Sequence, residues 1–596
     1  MGKEKNGDEY SNKYVSRLLR QIAAVYLLSN ENRFKIIAYQ NAAGAVENLN
    51  RELKDIAEEG PINGIPGLGP AISSNLEEYF RDGRSKHFNE VLDRFPSSLY
   101  KLMQVSSIGP KTAYRLVKEF SFNNEKTVLA EVIKAAKKHK IQILEGFGPK
   151  SEGEIVRAIE LYESTSAHEE RMPLPYAHRM AEEIKAYLLA NPLVVRVDVL
   201  GSLRRMSPTI GDIDIAIVVS SGNSQKVVTY FTEYKKKRAV DNAGENKASI
   251  IIPPHIRVDL RVQDKASYGS MLQYFTGSKG HNIKVREHAL RQDMSVSEWG
   301  IKTKGKLLKY ADEPGFYAKL GLAYVEPELR EGTDEVTLAA KNALPKLVEL
   351  KDIKGDLHIH SSYDLKPSHD LGVNTYKEIV DAARSNNYDY VGFADHNPKQ
   401  SGLTQGDMVE ILKKRKYYID KLFSINKYDQ SHYFIGLETD ILPDGSLAFP
   451  EKALDYVDYL IVSIHSSFAM PSTQMTKRIL RALSHPKVKI FGHPTARLIN
   501  KRTGINVDWP EVFKEVNKRN IALEINSWPE RLDLPDTLVK QAKNYHVKFV
   551  IDTDAHAIEQ MNNMAYGVSV ARRGWCTQND IMNTLSREDF KKWIVS

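Results

Sequence analysis

The sequence is poor in cysteine and has no long apolar segment. Cys576 is the single cysteine among 596 residues, which excludes an intrachain disulfide and a zinc site built on several cysteines. No stretch approaches the ~18 uninterrupted apolar residues that a membrane-spanning helix needs. The polar first residues predict no secretory signal. Together these absences argue against a disulfide-stapled secreted protein and a membrane-spanning one.

Charge is nearly balanced, whereas histidine is unevenly distributed. The chain has 84 Lys and Arg and 76 Asp and Glu, a net charge of +8. Most proteins with so small an excess bind no nucleic acid, so charge alone does not identify a partner. Ten of the 17 histidines lie after residue 350. That bias indicates metal binding or acid–base chemistry in the C-terminal part.

Length and apolar patterning predict several domains of different type. At ~150 residues each, the chain corresponds to about four domains. Helical periodicity predominates to about residue 165, strands are predicted at 193–200, 212–219 and 249–262, and a linker helix or tether at 331–350. Seven apolar runs then alternate with helices, at 356–358, 390–393, 433–437, 460–464, 488–491, 521–525 and 547–551. This alternation predicts a barrel-like α/β domain with functional residues at the C-terminal ends of its strands.

Three short glycine-rich motifs interrupt the helical part. They are Gly67-Leu68-Gly69-Pro70, Ile108-Gly109-Pro110-Lys111 and Gly146-Phe147-Gly148-Pro149-Lys150. Each places flexible residues between two helices and a proline in the first turn of the second helix, whose free N–H groups can hold a phosphate. One motif alone would be a plain helix connection, but three in series favour binding to a DNA backbone. They resemble helix-hairpin-helix motifs, with DNA contacts expected at Gly67, Gly69, Gly109, Lys111, Gly148 and Lys150.

Three aspartates form a candidate two-metal site. Asp212 and Asp214 are two residues apart on a predicted strand, so both carboxylates leave the same face. Asp259 can add a third carboxylate from a neighbouring strand. Such a group repels itself unless cations lie between its members. Two Mg²⁺ or Mn²⁺ ions roughly 4 Å apart would relieve the repulsion and bind the attacking and leaving oxygens of phosphoryl transfer.

A glycine–serine turn precedes these aspartates and makes the pattern more specific. In Gly201-Ser202-Leu203-Arg204-Arg205, the Ser202 hydroxyl and backbone N–H groups suit phosphates, and Arg205 offers a bidentate fork. An Asp-x-Asp pair alone occurs on many solvated strands. Combined with this turn it resembles the nucleotidyltransferase superfamily and, within it, the family X DNA polymerases.

The resemblance extends downstream and implies roles for individual residues. Tyr274-Phe275-Thr276-Gly277-Ser278, Asn282, Arg286 and His288 look like that family's nucleotide-binding and minor-groove segment. It implies that Asp212 and Asp214 bind both metal ions, and that Asp259 binds the catalytic ion and helps to activate the primer 3′-hydroxyl. It further implies nucleotide contacts from Ser202, Arg205, Gly211, Tyr274, Phe275, Gly277 and Asn282, and DNA contacts from Arg286 and from Tyr39, near a 5′-phosphate.

One position departs from the family members that have 5′-deoxyribose-phosphate lyase activity. These carry a Schiff-base lysine in the helix after the first hairpin, where this chain has Asn75. Because asparagine cannot form a Schiff base, we predict that the lyase activity is absent or weak.

Histidines and carboxylates terminate nearly every apolar run of the C-terminal part. His358 and His360 lie two residues apart, as do Asp554 and His556. Between these pairs come His396, Glu438, His465 and His493. Six histidines beside acidic residues would be costly to assemble without metal. Mixed nitrogen and oxygen ligands suit Zn²⁺, Mn²⁺ or Fe²⁺, and up to three ions could bridge a phosphate.

This C-terminal pattern resembles the polymerase and histidinol phosphatase (PHP) superfamily, which implies that the cluster is a trinuclear phosphoesterase centre. The family's first motif usually continues His-Ser-x-x-Ser-Asp-Gly, whereas here the acid after His360 is shifted by one position. Asp364 is therefore the candidate ligand, and Asp370 is the alternative.

Taken together, the residues and resemblances predict a bifunctional, cytoplasmic, nucleoid-associated DNA repair enzyme that is a monomer. The fold expected is multidomain α/β: an N-terminal helical domain (1–92), a fingers-like domain with further hairpins (93–165), a nucleotidyltransferase α+β palm (166–264), a thumb (265–335), a linker (336–352) and a distorted (βα)7 PHP barrel (353–596). The polymerase would fill short gaps in primed or gapped DNA with dNTPs, alongside other repair enzymes. The barrel would hydrolyse phosphoesters at 3′ ends or abasic sites.

Two other functions remain open from sequence alone. A small-metabolite phosphatase would use the C-terminal cluster without DNA. A DNA-end scaffold would have a palm that no longer catalyses. The polymerase motifs argue against the first, and the complete set of three palm carboxylates with Arg205 argues against the second.

Overall fold

The computed structural model describes residues 10, 12–47, 53–59, 61–65, 67–105, 108–165, 171–253, 256–425 and 433–595. Two compact units divide the chain between residues 169 and 170. Among the described residues, no helix is both long enough and apolar enough to span a membrane.

The first unit is helical and has two cores. Its helices are α1 Asn12–Leu28, α2 Arg33–Glu47, α3 Leu53–Glu59, α4 Pro70–Asp82, α5 Lys86–Leu92, α6 Ser97–Leu102, α7 Pro110–Phe120, α8 Val128–Ala136 and α9 Pro149–Thr165. One core lies under α1–α5 and the other under α6–α9. Helices α4, α7 and α9 each begin at the proline of a hairpin motif, as predicted, because proline suits the first helical position, where no N–H is needed.

The second unit begins with a five-stranded sheet that carries the three aspartates. Its elements are β1 Met172–Pro173, α10 Leu174–Leu189, β2 Val194–Val199, α11 Gly201–Arg204, β3 Thr209–Ile210, β4 Ile213–Val219, α12 Ser224–Thr232, β5 Ala239–Ala243, β6 Lys247–Ile252 and β7 Ile256–Gln263. The sheet order is β2-β4-β7-β6-β5, and only its β4–β7 pair is parallel. The run at 249–262, expected as one strand, is two antiparallel strands that separate at Pro253, which has no N–H for a ladder.

A thumb-like subdomain follows the sheet. It contains α13 Tyr268–Thr276, α14 Lys279–Leu290, the antiparallel strands β8 Met294–Ser297, β9 Gly300–Thr303 and β10 Lys306–Leu308, then α15 Glu313–Lys319 and α16 Glu335–Ala340. The segment expected as a tether is packed: Val336, Ala339 and Leu347 belong to the same core as Phe316. The segment expected as a linker helix or tether thus includes the short helix α16, and its apolar side chains bury themselves against the thumb.

The C-terminal part is a parallel barrel of seven strands in chain order. The strands are β11 Gly355–Ile359, β12 Tyr390–Phe393, β13 Tyr433–Asp440, β14 Tyr459–Ser463, β15 Val488–Phe491, β16 Ala522–Asn526 and β17 Lys548–Asp552. The helices are α17 Tyr376–Ser385, α18 Gln405–Ile425, α19 Ser472–Leu483, α20 Trp509–Lys518, α21 Asp536–Lys543, α22 Met564–Arg573 and α23 Arg587–Val595. A parallel bridge between Ile359 and Ala555 joins the first and last strands. This confirms the seven predicted strands and the distorted barrel.

Cys576 lies three residues after the end of α22 and is fully buried. Burial raises the pKa of its thiol.

Candidate active sites

The three hairpins present open helix N-termini. Gly69 and Gly109 cap α4 and α7 with extended backbone. Gly148 is the residue directly before α9. No described atom lies within 4 Å of a Cβ built on any of these three glycines. The space in front of each helix is therefore open to a phosphate backbone, and Lys111 and Lys150 lie exposed in the first turns.

Gly67 is required by its backbone conformation. Its φ is +94°, and a Cβ there would lie 2.8 Å from the Ala45 Cβ. Tyr39 lies in the helical core, 6% exposed, with its ring centroid 5.4 Å from that of Tyr26. Asn75, at the position of the lyase lysine, donates to the Ala71 carbonyl oxygen at 2.8 Å.

The three aspartates lie together on the palm sheet. Asp214 on β4 is directly opposite Asp259 on β7, and Asp212 comes immediately before β4. Burial, together with the charges of Asp212 and Asp259, raises the pKa of Asp214 to about 7. Arg257 donates to Asp259 Oδ1 at 2.9 Å. Such a set of mutually repelling carboxylates fits divalent cations by the chemistry of its donors.

The glycine–serine turn packs directly against this carboxylate face. Gly201 has φ +58°, and a Cβ there would lie 2.7 Å from Asp214 Oδ2, so only glycine fits. Ser202 follows in the first turn of α11, and Gly211 lies at the exposed edge beside Asp212. Arg205 donates to Thr276 O at 2.5 Å and to Glu331 Oε1 at 3.2 Å.

The candidate nucleotide segment spans the end of α13 and the start of α14. Asn282 donates to the Tyr274 carbonyl oxygen at 2.7 Å. Arg286 donates to the Tyr274 hydroxyl at 3.1 Å, and the Arg261 guanidinium lies 4.0 Å from the Phe275 ring centroid. Gly277 ends α13 with φ +67°, where a Cβ would lie 3.2 Å from Arg205 Nη1. The structure thus brings Gly277 next to Arg205 and joins Asn282 and Arg286 to Tyr274.

The histidine cluster lies where the strands of the barrel end. Each ligand candidate sits in or just after a strand: His358 and His360 at β11, His396 at β12, Glu438 in β13, His465 at β14, His493 at β15, and Asp554 and His556 at β17. Since parallel strands end on one side of a barrel, residues 200 positions apart in sequence converge there. Asp554 Oδ1 lies 3.2 Å from His360 Nε2.

Glu438 is the centre of this cluster. Its two carboxylate oxygens lie 2.9–3.6 Å from nitrogens of five imidazoles, those of His358, His360, His396, His465 and His493. Burial alone would raise the pKa of Glu438, but the surrounding imidazoles hold it well below its ordinary value. A fully buried carboxylate with this many nitrogen neighbours is the arrangement of a shared metal ligand.

Several buried ring nitrogens of the cluster have no hydrogen-bond partner among the described residues. They are His358 Nε2, His360 Nδ1, His396 Nδ1, His493 Nδ1 and His556 Nε2. Burial and the neighbouring His396 and His556 lower the pKa of His360 to about 3, so its imidazole is neutral. Leaving buried polar atoms without partners is costly. The neutral imidazole of His360 and the unpartnered ring nitrogens of its neighbours therefore fit divalent metal ions in this cluster.

The two alternative acids are placed differently. Asp364 is exposed and accepts a hydrogen bond from the Lys366 backbone N–H. Asp370 lies 3.8 Å from His396 Nε2 and 3.6 Å from His556 Nε2. Among the described contacts, Asp370 reaches ring nitrogens of the cluster and Asp364 does not.

Comparison with known proteins identifies the domains and the family of the chain. Residues 11–85 match a helix-hairpin-helix domain, 271–331 the DNA polymerase beta thumb and 356–528 the PHP domain. The chain is 33% identical over 587 residues to the DNA polymerase/3′-5′ exonuclease PolX of Bacillus subtilis. The matched region covers 98% of this chain and 99% of that protein. The chain belongs to the family X DNA polymerases that carry a PHP domain.

Two shorter relatives match part of the chain of this family X polymerase. Probable phosphatases of Caldicellulosiruptor saccharolyticus and Clostridium acetobutylicum are each 27% identical, over 31% and 34% of this chain and 74% and 78% of their own lengths.

The structure of this family X polymerase adds residues that sequence reasoning missed in the palm and thumb. Glu313 is 3% exposed and lies between the guanidinium groups of Arg204 and Arg330. Burial would raise the pKa of Glu313, but these two cations lower it to about 2. The pairing joins palm to thumb across 109 residues of sequence. No sequence motif near Arg204 or Glu313 indicates this pairing.

The metal cluster also has supporting residues that were missed. Glu524 is fully buried, and its Oε1 lies 2.6 Å from His358 Nδ1. Asp440 Oδ1 lies 2.6 Å from His465 Nδ1 and 3.1 Å from His369 Nε2. Arg415, which has lysines at positions 413, 414 and 416 around it, is buried and donates to Asp395. An acid inside the apolar run of β16 was the available signal for Glu524.

Proposed function

We propose that this enzyme fills short gaps in DNA by two-metal nucleotidyl transfer and processes 3′ ends with its PHP domain. The observation that supports the proposal is two separate groups of potential metal ligands in one unit: three aspartates on the palm sheet and the Glu438-centred cluster at the strand ends of the barrel. Each set has the donor chemistry that its reaction requires.

In the palm, Asp212, Asp214 and Asp259 would hold two Mg²⁺ or Mn²⁺ ions. When bound, the ions would neutralise the triphosphate and favour loss of the primer 3′-hydroxyl proton. Asp259, which accepts a hydrogen bond from Arg257, would orient that hydroxyl. Ser202 and Arg205 would hold the triphosphate, while Tyr274 and Phe275 would flank the sugar. Asn282, fixed by its bond to the Tyr274 carbonyl, would contact the nucleotide at its minor-groove edge.

In the barrel, the eight histidines and acids at the strand ends, with Asp370, would hold up to three Zn²⁺, Mn²⁺ or Fe²⁺ ions. When bound, the ions would polarise the phosphoester and activate a water molecule. Glu524 and Asp440 fix the orientation of His358 and His465. The relative from Bacillus subtilis is named a 3′-5′ exonuclease, and the partial relatives are named probable phosphatases. These names support hydrolysis at a DNA 3′ end in this chain, by exonuclease or 3′-phosphatase action.

The open hairpin N-termini support binding of gapped DNA through phosphates rather than bases. Asn75 supports the absence of 5′-deoxyribose-phosphate lyase activity, since its amide is not a Schiff-base nucleophile.

The test uses a 5′-labelled primer on a one-nucleotide gap, with Mg²⁺ or Mn²⁺, with and without dNTPs. Asp212→Ala is expected to lose extension and keep shortening, and His358→Ala is expected to lose shortening and keep extension. With a 5′-deoxyribose-phosphate at the gap, borohydride is expected to trap no protein–DNA adduct. Extension that survives in Asp212→Ala, or shortening that survives in His358→Ala, would contradict the assignment of that site.

The placement of the two alternative acids gives a matched prediction for the barrel. Asp370→Ala should lower 3′-end hydrolysis about 10- to 100-fold and reduce bound metal, because it removes a ligand beside His396 and His556. Asp364→Ala should stay within about twofold of wild type, since its only described bond is to the Lys366 N–H. Hydrolysis rates and elemental analysis of the two variants check this. The reverse order of effects would assign the ligand to Asp364.

A further inference from the structure

A buried guanidinium from the barrel reaches the palm segment that carries Arg205. Arg573 is the last residue of α22, and its side chain is 7% exposed. It donates to Asp536, the first residue of α21, at 2.8–2.9 Å. Its Nη1 also donates to the Arg205 carbonyl oxygen at 2.9 Å and to Glu331 Oε1 at 2.7 Å. One side chain thus connects two barrel helices with two segments of the polymerase part.

The bond to the Arg205 carbonyl stabilises the end of α11. The last carbonyl groups of a helix have no partner within the helix. Met206, directly after Arg205, has φ +53°, the left-handed conformation that ends helices and that residues other than glycine adopt at a cost. By taking the Arg205 carbonyl, Arg573 holds the backbone from which the Arg205 side chain extends.

The bond to Glu331 acts on the Arg205 side chain itself. Glu331 Oε1 accepts from both Arg573 Nη1 and Arg205 Nε. Glu331 Oε1 and the Thr276 carbonyl oxygen together occupy two of the five N–H donors of the Arg205 guanidinium. Among the described residues no other bond of this guanidinium is found, so its remaining donors can serve a ligand. The orientation of this fork depends on Glu331, and the position of Glu331 depends on Arg573.

We infer that Arg573 is a positioning residue for nucleotide binding: through Glu331 and the Arg205 carbonyl, it aims the Arg205 guanidinium at the triphosphate. The inference rests on the proposed role of Arg205. It makes dNTP binding in the palm dependent on a residue of the barrel that lies outside the metal cluster.

Neighbouring Arg572 provides a matched control. It lies on the same helix and also joins the barrel to the thumb, but through Glu328 at 2.7 Å and the Val348 carbonyl oxygen at 3.2 Å. It has no bond to Arg205 or Glu331 among the described residues. Replacing Arg572 therefore loosens the same interface without touching the Arg205 chain.

The experiment measures kcat and KM for the dNTP in one-nucleotide gap filling by the full-length enzyme. Arg573→Gln and Glu331→Ala are each expected to raise KM about three- to tenfold, with a smaller change in kcat. The double variant should match the stronger single variant, since both act in one chain of contacts. Arg573→Lys should give an intermediate KM, because an ammonium cannot span three acceptors as a guanidinium does. Arg572→Gln should leave the KM for the dNTP near the wild-type value. The rate of 3′-end hydrolysis should also stay near wild type in these variants.

Three results would each overturn the inference. The first is a KM within twofold of wild type for both Arg573→Gln and Arg573→Lys, and the second is an equal rise of KM in Arg572→Gln. The third is a double variant in which the KM increases of Arg573→Gln and Glu331→Ala multiply. A purely structural role would lower the active fraction and kcat and leave KM unchanged. The variant Arg205→Ala distinguishes a failure of the proposed role of Arg205 from a failure of the inference about Arg573. If it leaves KM unchanged, the proposed role of Arg205 fails. If it raises KM while Arg573→Gln does not, only the inference fails.

Discussion

Replacing Glu438 by glutamine is expected to abolish 3′-end hydrolysis, with a loss of about 10³-fold or more. The amide keeps the shape of the side chain but removes the one charge that five imidazoles share. Losing ~4 kcal/mol of charge stabilisation corresponds to a factor of about 10³ in rate. Bound metal per chain should fall in parallel, while gap filling should continue because the palm ligands are untouched.

Glu451→Gln is the matched control for this change. Glu451 also lies beside an imidazole, 3.5 Å from His485 Nε2, but it is 74% exposed and belongs to no cluster of ligand candidates among the described residues. Its replacement should leave hydrolysis and metal content near wild type. Elemental analysis and digestion of a labelled primer measure both quantities. Full metal occupancy in Glu438→Gln would refute the central role of this carboxylate.

Asp214→Asn is expected to abolish dNTP incorporation, by about 10³-fold or more, and at the same time to stabilise the metal-free protein. The loss of activity follows because the asparagine removes a charge from the face that holds both palm ions. The gain in stability follows because Asp214 is buried beside Asp212 and Asp259, which repel its charge. Opposite effects on activity and stability distinguish a metal ligand from a packing residue.

The stability effect of Asp214 has a defined pH dependence. The pKa of Asp214 is raised to about 7 in the folded protein, whereas an unfolded aspartate has a pKa of ~3.9. The folded state therefore holds a proton that the unfolded chain has already released, and this contribution to the free energy of unfolding falls as pH rises from about 4 to about 7. At pH 8 the free energy of unfolding of Asp214→Asn should exceed that of wild type by at most ~4 kcal/mol, which raises its unfolding temperature, and at pH 4 the two proteins should differ little.

Glu245→Gln controls for the general loss of a carboxylate from the same sheet. Glu245 is exposed in the turn between β5 and β6 and, among the described residues, does not share Arg257 as Asp259 does. It should retain incorporation and show no gain in stability at pH 8. Thermal unfolding of the EDTA-treated proteins at several pH values, with gap filling at saturating Mg²⁺, provides both measurements. A destabilised Asp214→Asn would show that the carboxylate is held by partners other than cations.

The sequence predicted the barrel well because its strands are buried on both faces and read as continuous apolar runs. The observed strands Tyr390–Phe393 and Val488–Phe491 coincide with the predicted runs. Polar residues that interrupt or end such runs are few, so candidates such as Glu438 and His493 were visible locally. The hairpin helices were also predictable, since Pro70, Pro110 and Pro149 mark their first residues.

Other features could not be predicted because they depend on contacts between distant segments. Arg204 meets Glu313 across 109 residues, and Arg573 meets Arg205 across 368. Nothing near Arg573 in the sequence distinguishes it from Arg572. The choice between Asp364 and Asp370 depended on the path of an irregular loop, which periodicity does not describe.

The isolation of Cys576 has a practical consequence. Its thiol is buried and its pKa is raised, so it has little of the thiolate that reacts with maleimides or alkylating reagents. The natural chain is therefore a ready background for fluorescent labelling. A dye on one introduced cysteine, for example at the exposed position 111 in the second hairpin, would report DNA engagement from that position without prior removal of native thiols.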